Sequence, residues 1–99
     1  MERSSRNITI SSLPEKERPR EKLLRHGVKS LSNAELLAIL LRTGIKNQSA
    51  LSLSYKILAR SDGIRFLTNA SVEDLSEING IGLAKASQLI AAVELGKRI

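Results

Sequence analysis

Cysteine is absent from the 99-residue chain, which excludes a disulfide framework, a thiolate zinc site and a cysteine nucleophile. Histidine occurs once, as His26, so neither a histidine-based triad nor a histidine-rich metal site can be assembled from this chain alone. We therefore predict that the chain is not an enzyme and that it holds neither a metal ion nor another cofactor.

Aromatic residues are also scarce, with one Tyr, one Phe and no Trp against 16 Leu and 10 Ile. Leucine and alanine are the residues that helical cores favour, so the composition predicts an all-α domain. With only Tyr55 and Phe66 available, we do not expect aromatic platforms for stacking the bases of single-stranded nucleic acid.

Long hydrophobic runs are missing as well. The longest apolar run, 36–41, is six residues, and no apolar stretch follows the arginines of the N-terminal "MERSSRN". A membrane-spanning helix needs about 20 apolar residues, and a secretory signal needs an apolar stretch behind its charges. The sequence predicts a soluble, cytoplasmic protein without a membrane partner.

Positive charge is in excess, with a formal net charge of +6, but it is unevenly distributed. Residues 1–30 carry eight Lys/Arg and four Asp/Glu, residues 31–70 five and two, and residues 71–99 three and four. Such an excess suggests an anionic partner, nucleic acid first. In the segment 15–29 the basic residues are interleaved with Glu15, Glu17 and Glu21, so a salt-bridged surface helix explains that cluster equally well.

Capping signals divide the chain into a flexible N-terminal tail, 1–12, and a helical domain, 13–99, with about five helices. A first helix is predicted from Pro19 to about His26, with Gly27 as a left-handed cap and Val28 making the accompanying hydrophobic contact. The capping-box spacing of Ser32 and Glu35 opens a second, central helix that Gly44 ends.

Ser49 is predicted to cap a third helix that closes near Gly63. Its apolar face is predicted from the spacing of Leu51, Tyr55 and Leu58. A short helical turn, 64–67, follows.

The last unit, 71–99, begins with Ser71 and Asp74 at capping distance and continues through two glycines into an amphipathic helix starting at Leu83. The order of capped helix, glycine-bearing loop and helix occurs twice, from Ser32 and from Ser71. We interpret this as a duplicated helix-hairpin-helix unit, well formed at 71–99 and degenerate in the first copy.

The stretch "INGIGLAKASQ" requires an explanation for its two glycines. A dinucleotide-binding fingerprint needs a third glycine, where Lys85 stands, and a preceding strand. A phosphate loop of the NTPase type needs a Gly-Lys-Ser/Thr ending, which the stretch lacks. The pattern that remains is apolar-x-Gly-apolar-Gly-x-x-x-Ala, in which both glycines are expected to allow φ > 0.

This pattern is similar to the helix-hairpin-helix motif of many DNA repair and replication proteins. Ile78, Ile81 and Ala86 take its structural positions, while Asn79 stands where the motif often has proline. The resemblance implies that amides at and after the second glycine hold a phosphate oxygen, assisted by the helix dipole. The candidate phosphate-binding residues by position are Gly80, Gly82, Ala84 and Lys85, with Arg42, Lys46 and Asn47 around the first loop. A turn that only joins two helices is the alternative.

Three blocks, "ERPREKLLRHG", "LSNAELLAILLRTG" and "INGIGLAKASQLIAAVELGKR", resemble the N-terminal region of RadC-family proteins, which were named for DNA repair. In that family a helical region precedes a JAB/MPN-type domain that is similar to zinc metallopeptidases. The resemblance implies a longer, hydrolase-like parent that holds zinc in a C-terminal domain. The His-x-His-Pro-Ser-Gly segment of that domain is absent from this chain.

These observations together predict a non-enzymatic, sequence-independent binding module for double-stranded or branched DNA. The alternative is an interaction domain that positions the metallopeptidase-like part of the parent. The sequence leaves the oligomeric state and the substrate of the parent open.

Overall fold

The structure, a computed structural model, describes residues 18–42, 49–60 and 62–99. Within these ranges it contains six α-helices, two short 3₁₀ turns and no strand, so the predicted all-α fold is confirmed. The helices are α1 (Pro19–His26), α2 (Asn33–Leu41), α3 (Ala50–Leu58), α4 (Phe66–Asn69), α5 (Val72–Ser76) and α6 (Leu83–Arg98). The 3₁₀ turns are Val28–Ser30 and Gly63–Arg65. The predicted tail, 1–12, lies outside the described residues.

Serine side chains begin three of the helices, as the sequence predicts. At the start of α2 the Ser32 hydroxyl accepts the Glu35 amide at 3.1 Å, and the Glu35 carboxylate accepts the Ser32 amide at 2.8 Å. Ser71 and Asp74 form the same reciprocal pair at the start of α5, with both distances 3.0 Å. Ser49 accepts one amide at the start of α3. Each cap satisfies amides that the first turn of a helix leaves without an acceptor.

The first helix has the predicted bounds, but its cap differs from the prediction. Gly27 has the expected positive φ of 89°, and its amide donates to the Leu23 carbonyl at 2.9 Å. Its ψ of 161° lies outside the left-handed helical region, and Val28 is 55% exposed. The predicted left-handed conformation of the cap is therefore wrong, and Val28 is more than half exposed, not buried against α1.

Two helices end earlier than predicted. The second helix stops at Leu41 with Arg42 as its cap, at a φ of 69°, and the predicted stop at Gly44 lies outside the described residues. The third helix stops at Leu58, well before Gly63. There the amide of Arg60 bonds three residues back, to the Ile57 carbonyl, so the chain tightens out of the α-helix before it reaches the glycine.

The buried face of α3 is not the predicted one. Tyr55 is 61% exposed, whereas Leu51 and Leu58 are half-buried at the margin of the core. The buried face comprises Ala50, Leu53, Ser54 and Ile57. Ser54 is accommodated there because its hydroxyl donates to the Ala50 carbonyl at 2.8 Å.

The core is aliphatic and is built mainly by α2 packed on α3 and by α5 packed on α6. Its buried members are Leu37, Ala38, Leu41, Ala50, Leu53, Ile57, Leu67, Leu75, Ile78, Ile81, Ala86 and Leu89. Both helix pairs begin with a capping box, although the lengths differ: nine and nine residues in the first pair, five and sixteen in the second. The loop of the first pair falls largely outside the described residues, so the two loops are not comparable.

Candidate nucleic-acid interface

Residues 77–82 connect α5 to α6 in a compact hairpin. The Ile78 amide donates to the Leu75 carbonyl at 3.0 Å, and the Ile81 amide donates to the Ile78 carbonyl at 2.9 Å. These successive three-residue turns reverse the chain within a few residues. The side chains of Ile78 and Ile81 are buried between the helices, and Ala86 is fully buried on the first turns of α6.

The two glycines of the hairpin have different conformations. Gly80 has a φ of 102°, in the region that side chains disfavour. Gly82 has a φ of −91° and a ψ of −172°, an extended conformation that any residue adopts. A Cβ built on Gly82 meets nothing within 4 Å. The expectation of φ > 0 is therefore wrong for Gly82, because it occupies the N-cap position of α6, where the backbone is extended.

The N-terminus of α6 has no side-chain cap, in contrast to α2, α3 and α5 with their serines. The first amides of a helix have no acceptor within it, so those of Ala84 and Lys85 remain available at the positive end of the helix dipole. Gly82 is exposed on the surface beside them. An anion here could accept several hydrogen bonds at once.

Lys85 lies on the first turn of α6 and is half-buried. In the described part of the chain its ammonium has no hydrogen-bond or ion-pair partner. The structure thus places Gly80, Gly82, Ala84 and Lys85 on one short segment, 80–85.

Arg42 is the first-loop candidate that the structure describes, and it lies at the C-terminal end of α2. The Gln88 side chain donates to the Leu40 carbonyl at 2.7 Å, which places the exposed end of α2, with Arg42, beside the second turn of α6. Gln88 is about 9 Å along the axis from Gly82, at 1.5 Å per residue. Lys46 and Asn47 lie outside the described residues.

Sequence reasoning missed two cations that border the hairpin. The Lys56 ammonium donates to the Asn79 carbonyl at 3.3 Å, and Arg60 lies 3.9 Å from the Glu77 carboxylate. Lys56 belongs to α3 and Arg60 follows the end of α3 by two residues, and Lys56 is 23 positions from its partner. No spacing rule links residues so distant in sequence, so only the tertiary structure shows these contacts.

The carboxylates near the hairpin have structural roles or are exposed. Asp74 accepts the Ser71 amide in its capping box, Glu77 faces Arg60, and Glu73 is exposed. In the described ranges no three His, Asp or Glu side chains are grouped so that they could hold a metal ion. No helix among the described residues has both the length and the apolar character that crossing a membrane requires.

The described residues form a small all-helical domain with a glycine hairpin between its last two helices. Residues 10–87 match the family model "UPF0758 N-terminal", and the chain belongs to this family.

Curated relatives agree with this assignment. The chain is 59% identical over 92 residues to a UPF0758 protein of Bacillus licheniformis, 58% over 93 residues to one of Alkaliphilus oremlandii, and 56% over 92 residues to the UPF0758 protein YsxA of Bacillus subtilis. Each match covers 93% of this chain but only 40–41% of the relative. The chain thus spans about two fifths of the length of these relatives. No solved structure matches it significantly.

Proposed function

We propose that this domain binds double-stranded or branched DNA without sequence preference, by contacting backbone phosphates through the hairpin between α5 and α6. The observation that carries the proposal is Gly82. Neither its backbone angles nor the space around it requires glycine, yet it stands at an N-cap where three other helices have serine. A position without a side chain leaves the helix amides to an external acceptor.

The chemistry of binding follows from the segment 80–85. The amides of Gly82, Ala84 and Lys85 donate to the oxygens of one phosphate, and the dipole of α6 favours its negative charge. Gly80 shapes the turn that presents these amides, and the Lys85 ammonium adds a charge-assisted contact.

Backbone contacts of this kind position DNA but do not read its bases. Arg42, exposed at the end of α2 beside the second turn of α6, is assigned to a neighbouring phosphate through its positive charge. Lys46 and Asn47 are assigned to backbone phosphates from their sequence positions around the first loop.

The test compares Gly82→Asp with Gly82→Asn in titrations of labelled duplex DNA by fluorescence anisotropy. Aspartate and asparagine cap helices about equally well, so both variants are expected to melt at or above the wild-type temperature. The aspartate places a negative charge where the phosphate binds. We expect it to weaken binding about tenfold more than asparagine at 50 mM salt, corresponding to roughly 1.4 kcal/mol.

The wild-type domain is expected to show a slope of log K against log salt of about −2 to −4, since each phosphate contact contributes about −0.9. Equal DNA affinities of the aspartate and asparagine variants would show that the amides of α6 do not meet a phosphate.

A second candidate function is that of a positioning domain for the rest of a longer, RadC-like parent. It is favoured by the relatives, which are about two and a half times as long as the matched region. In this proposal the parent acts in the cytoplasm, and zinc belongs to its metallopeptidase-like remainder. A folded domain that binds no duplex DNA even at low salt would favour this function.

A further inference from the structure

Two basic residues at the C-terminal end of α3, Lys56 and Arg60, flank the hairpin from a different part of the chain. Lys56 lies in the last turn of α3, and Arg60 follows the end of the helix at Leu58 by two residues. Their contacts, the Asn79 carbonyl and the Glu77 carboxylate, are both in the segment 77–79. The end of α3 and the residues that follow it thus hold two cations alongside the turn that precedes α6.

Neither cation is neutralised by its contact. The partner of Lys56 is an uncharged carbonyl, and an ammonium with three donors keeps two for other acceptors. The carboxylate of Glu77 is 73% exposed and 3.9 Å from Arg60, which makes this a weak ion pair. Both positive charges therefore remain available to an anion.

The guanidinium of Arg60 is nevertheless fixed in position. It lies 5.3 Å from the centroid of the Phe66 ring, and its side chain is 39% exposed. A cation held on an aromatic face loses less conformational entropy when it binds an anion than a fully mobile side chain does.

We infer that Lys56 and Arg60 bind backbone phosphates of the same DNA duplex whose neighbouring phosphate is held at the hairpin. This inference rests on the proposed function and extends its surface to α3. It also explains how the nearly neutral segment 71–99 takes part in DNA binding, because the positive charge beside the hairpin comes from Lys56 and Arg60. DNA carries evenly spaced phosphates, so neighbouring phosphates of one duplex can contact cations on both sides of the hairpin.

The test measures the salt dependence of duplex binding for Lys56→Gln, Lys56→Arg, Arg60→Gln and Arg60→Lys. The two glutamine variants are each expected to make the slope shallower by about 0.9, while the arginine and lysine variants keep the wild-type slope. Arg98→Gln is the matched control: it removes the same charge about 24 Å along α6 from Gly82 and should leave the slope unchanged.

The outcomes separate this inference from the proposed function. If wild type binds and Gly82→Asp weakens binding, but the Lys56 and Arg60 glutamine variants keep the wild-type slope, the inference is wrong and the hairpin site stands. If the salt-dependence slope of these glutamine variants is shallower while Gly82→Asp and Gly82→Asn bind equally well, the contacts of Lys56 and Arg60 are supported and the hairpin site is not. Absence of duplex binding by the folded wild type overturns both. Poly-glutamate that competes as effectively as duplex DNA, charge for charge, overturns the assignment to phosphates.

Discussion

Gly80 and Gly82 are one residue apart but differ in why glycine is present. The backbone of Gly80, at a φ of 102°, disfavours any side chain, whereas the extended backbone of Gly82 accepts one without a contact. A residue with a Cβ in a disfavoured region costs about 1–3 kcal/mol. The first glycine is therefore required for the fold, and the second is available for function.

We expect Gly80→Ala to lower the free energy of unfolding by about 1–3 kcal/mol. Gly82→Ser should raise it by a few tenths of a kcal/mol, because serine caps a helix slightly better than glycine. Urea unfolding followed by far-ultraviolet circular dichroism measures both values. Equal losses in the two variants would contradict the different backbone conformations of the glycines.

One carboxylate, that of Glu35, connects α1 to the start of α2. The Lys22 ammonium lies 3.3 Å from both oxygens of Glu35, which also accepts the Ser32 amide. Burial raises the pKa of Glu35, but the hydrogen bonds from Ser32 and Lys22 and the charge of Lys22 together lower this pKa below its ordinary value. The carboxylate is thus more acidic in the folded protein than in the unfolded chain.

A lowered pKa in the folded state gives stability that is present above the unfolded pKa of about 4.3 and is lost as pH falls through the folded value. Glu35→Gln should therefore lower the melting temperature at pH 7 by more than it does at pH 3. Lys22→Met removes two causes of the lowering and should shrink the loss of stability between pH 7 and pH 3. Melting temperatures at both pH values test this, and equal deficits of Glu35→Gln at pH 7 and pH 3 would refute it.

The helices show which features the sequence predicts well. Helix starts were predicted correctly where Ser32, Ser49 and Ser71 cap, because capping is a local interaction between residues three apart. The buried face of α3 was predicted incorrectly. The stripe containing Tyr55 and the stripe containing Leu53 and Ile57 have equally good helical spacing. Packing against α2 selects between them, and packing is not visible in a single helix.

For the whole domain, the all-α class follows from composition, but the charged surface does not follow from the order of charges along the chain. Counting by segment makes 71–99 nearly neutral, whereas folding brings Lys56 of α3 and Arg60, just beyond it, against that segment. The predicted hairpin positions were adjacent in sequence and stay together in space. Arg42, predicted as a phosphate contact from the first loop, lies at the end of α2 beside the second turn of α6, a neighbour that its position in the sequence does not show.

Salt should affect the fold and the proposed complex in opposite ways. The three ion pairs within the described ranges are at least partly exposed and contribute little, while the net charge of +6 makes the folded chain repel itself. Raising NaCl from 50 to 500 mM should leave the melting temperature unchanged or slightly higher. Over the same decade of salt the DNA affinity should fall by about 10²–10⁴-fold. A melting temperature that falls in parallel with affinity would mean that salt acts by unfolding the domain.

The exposed position of Tyr55 on α3 has an optical consequence. The chain has no tryptophan, and its single tyrosine is already surrounded largely by water in the folded state. Unfolding therefore moves no tyrosine or tryptophan ring from an apolar to an aqueous environment, and the tyrosine fluorescence of the native domain resembles that of the unfolded chain. The aliphatic core that defines this fold therefore gives no fluorescence signal of its own.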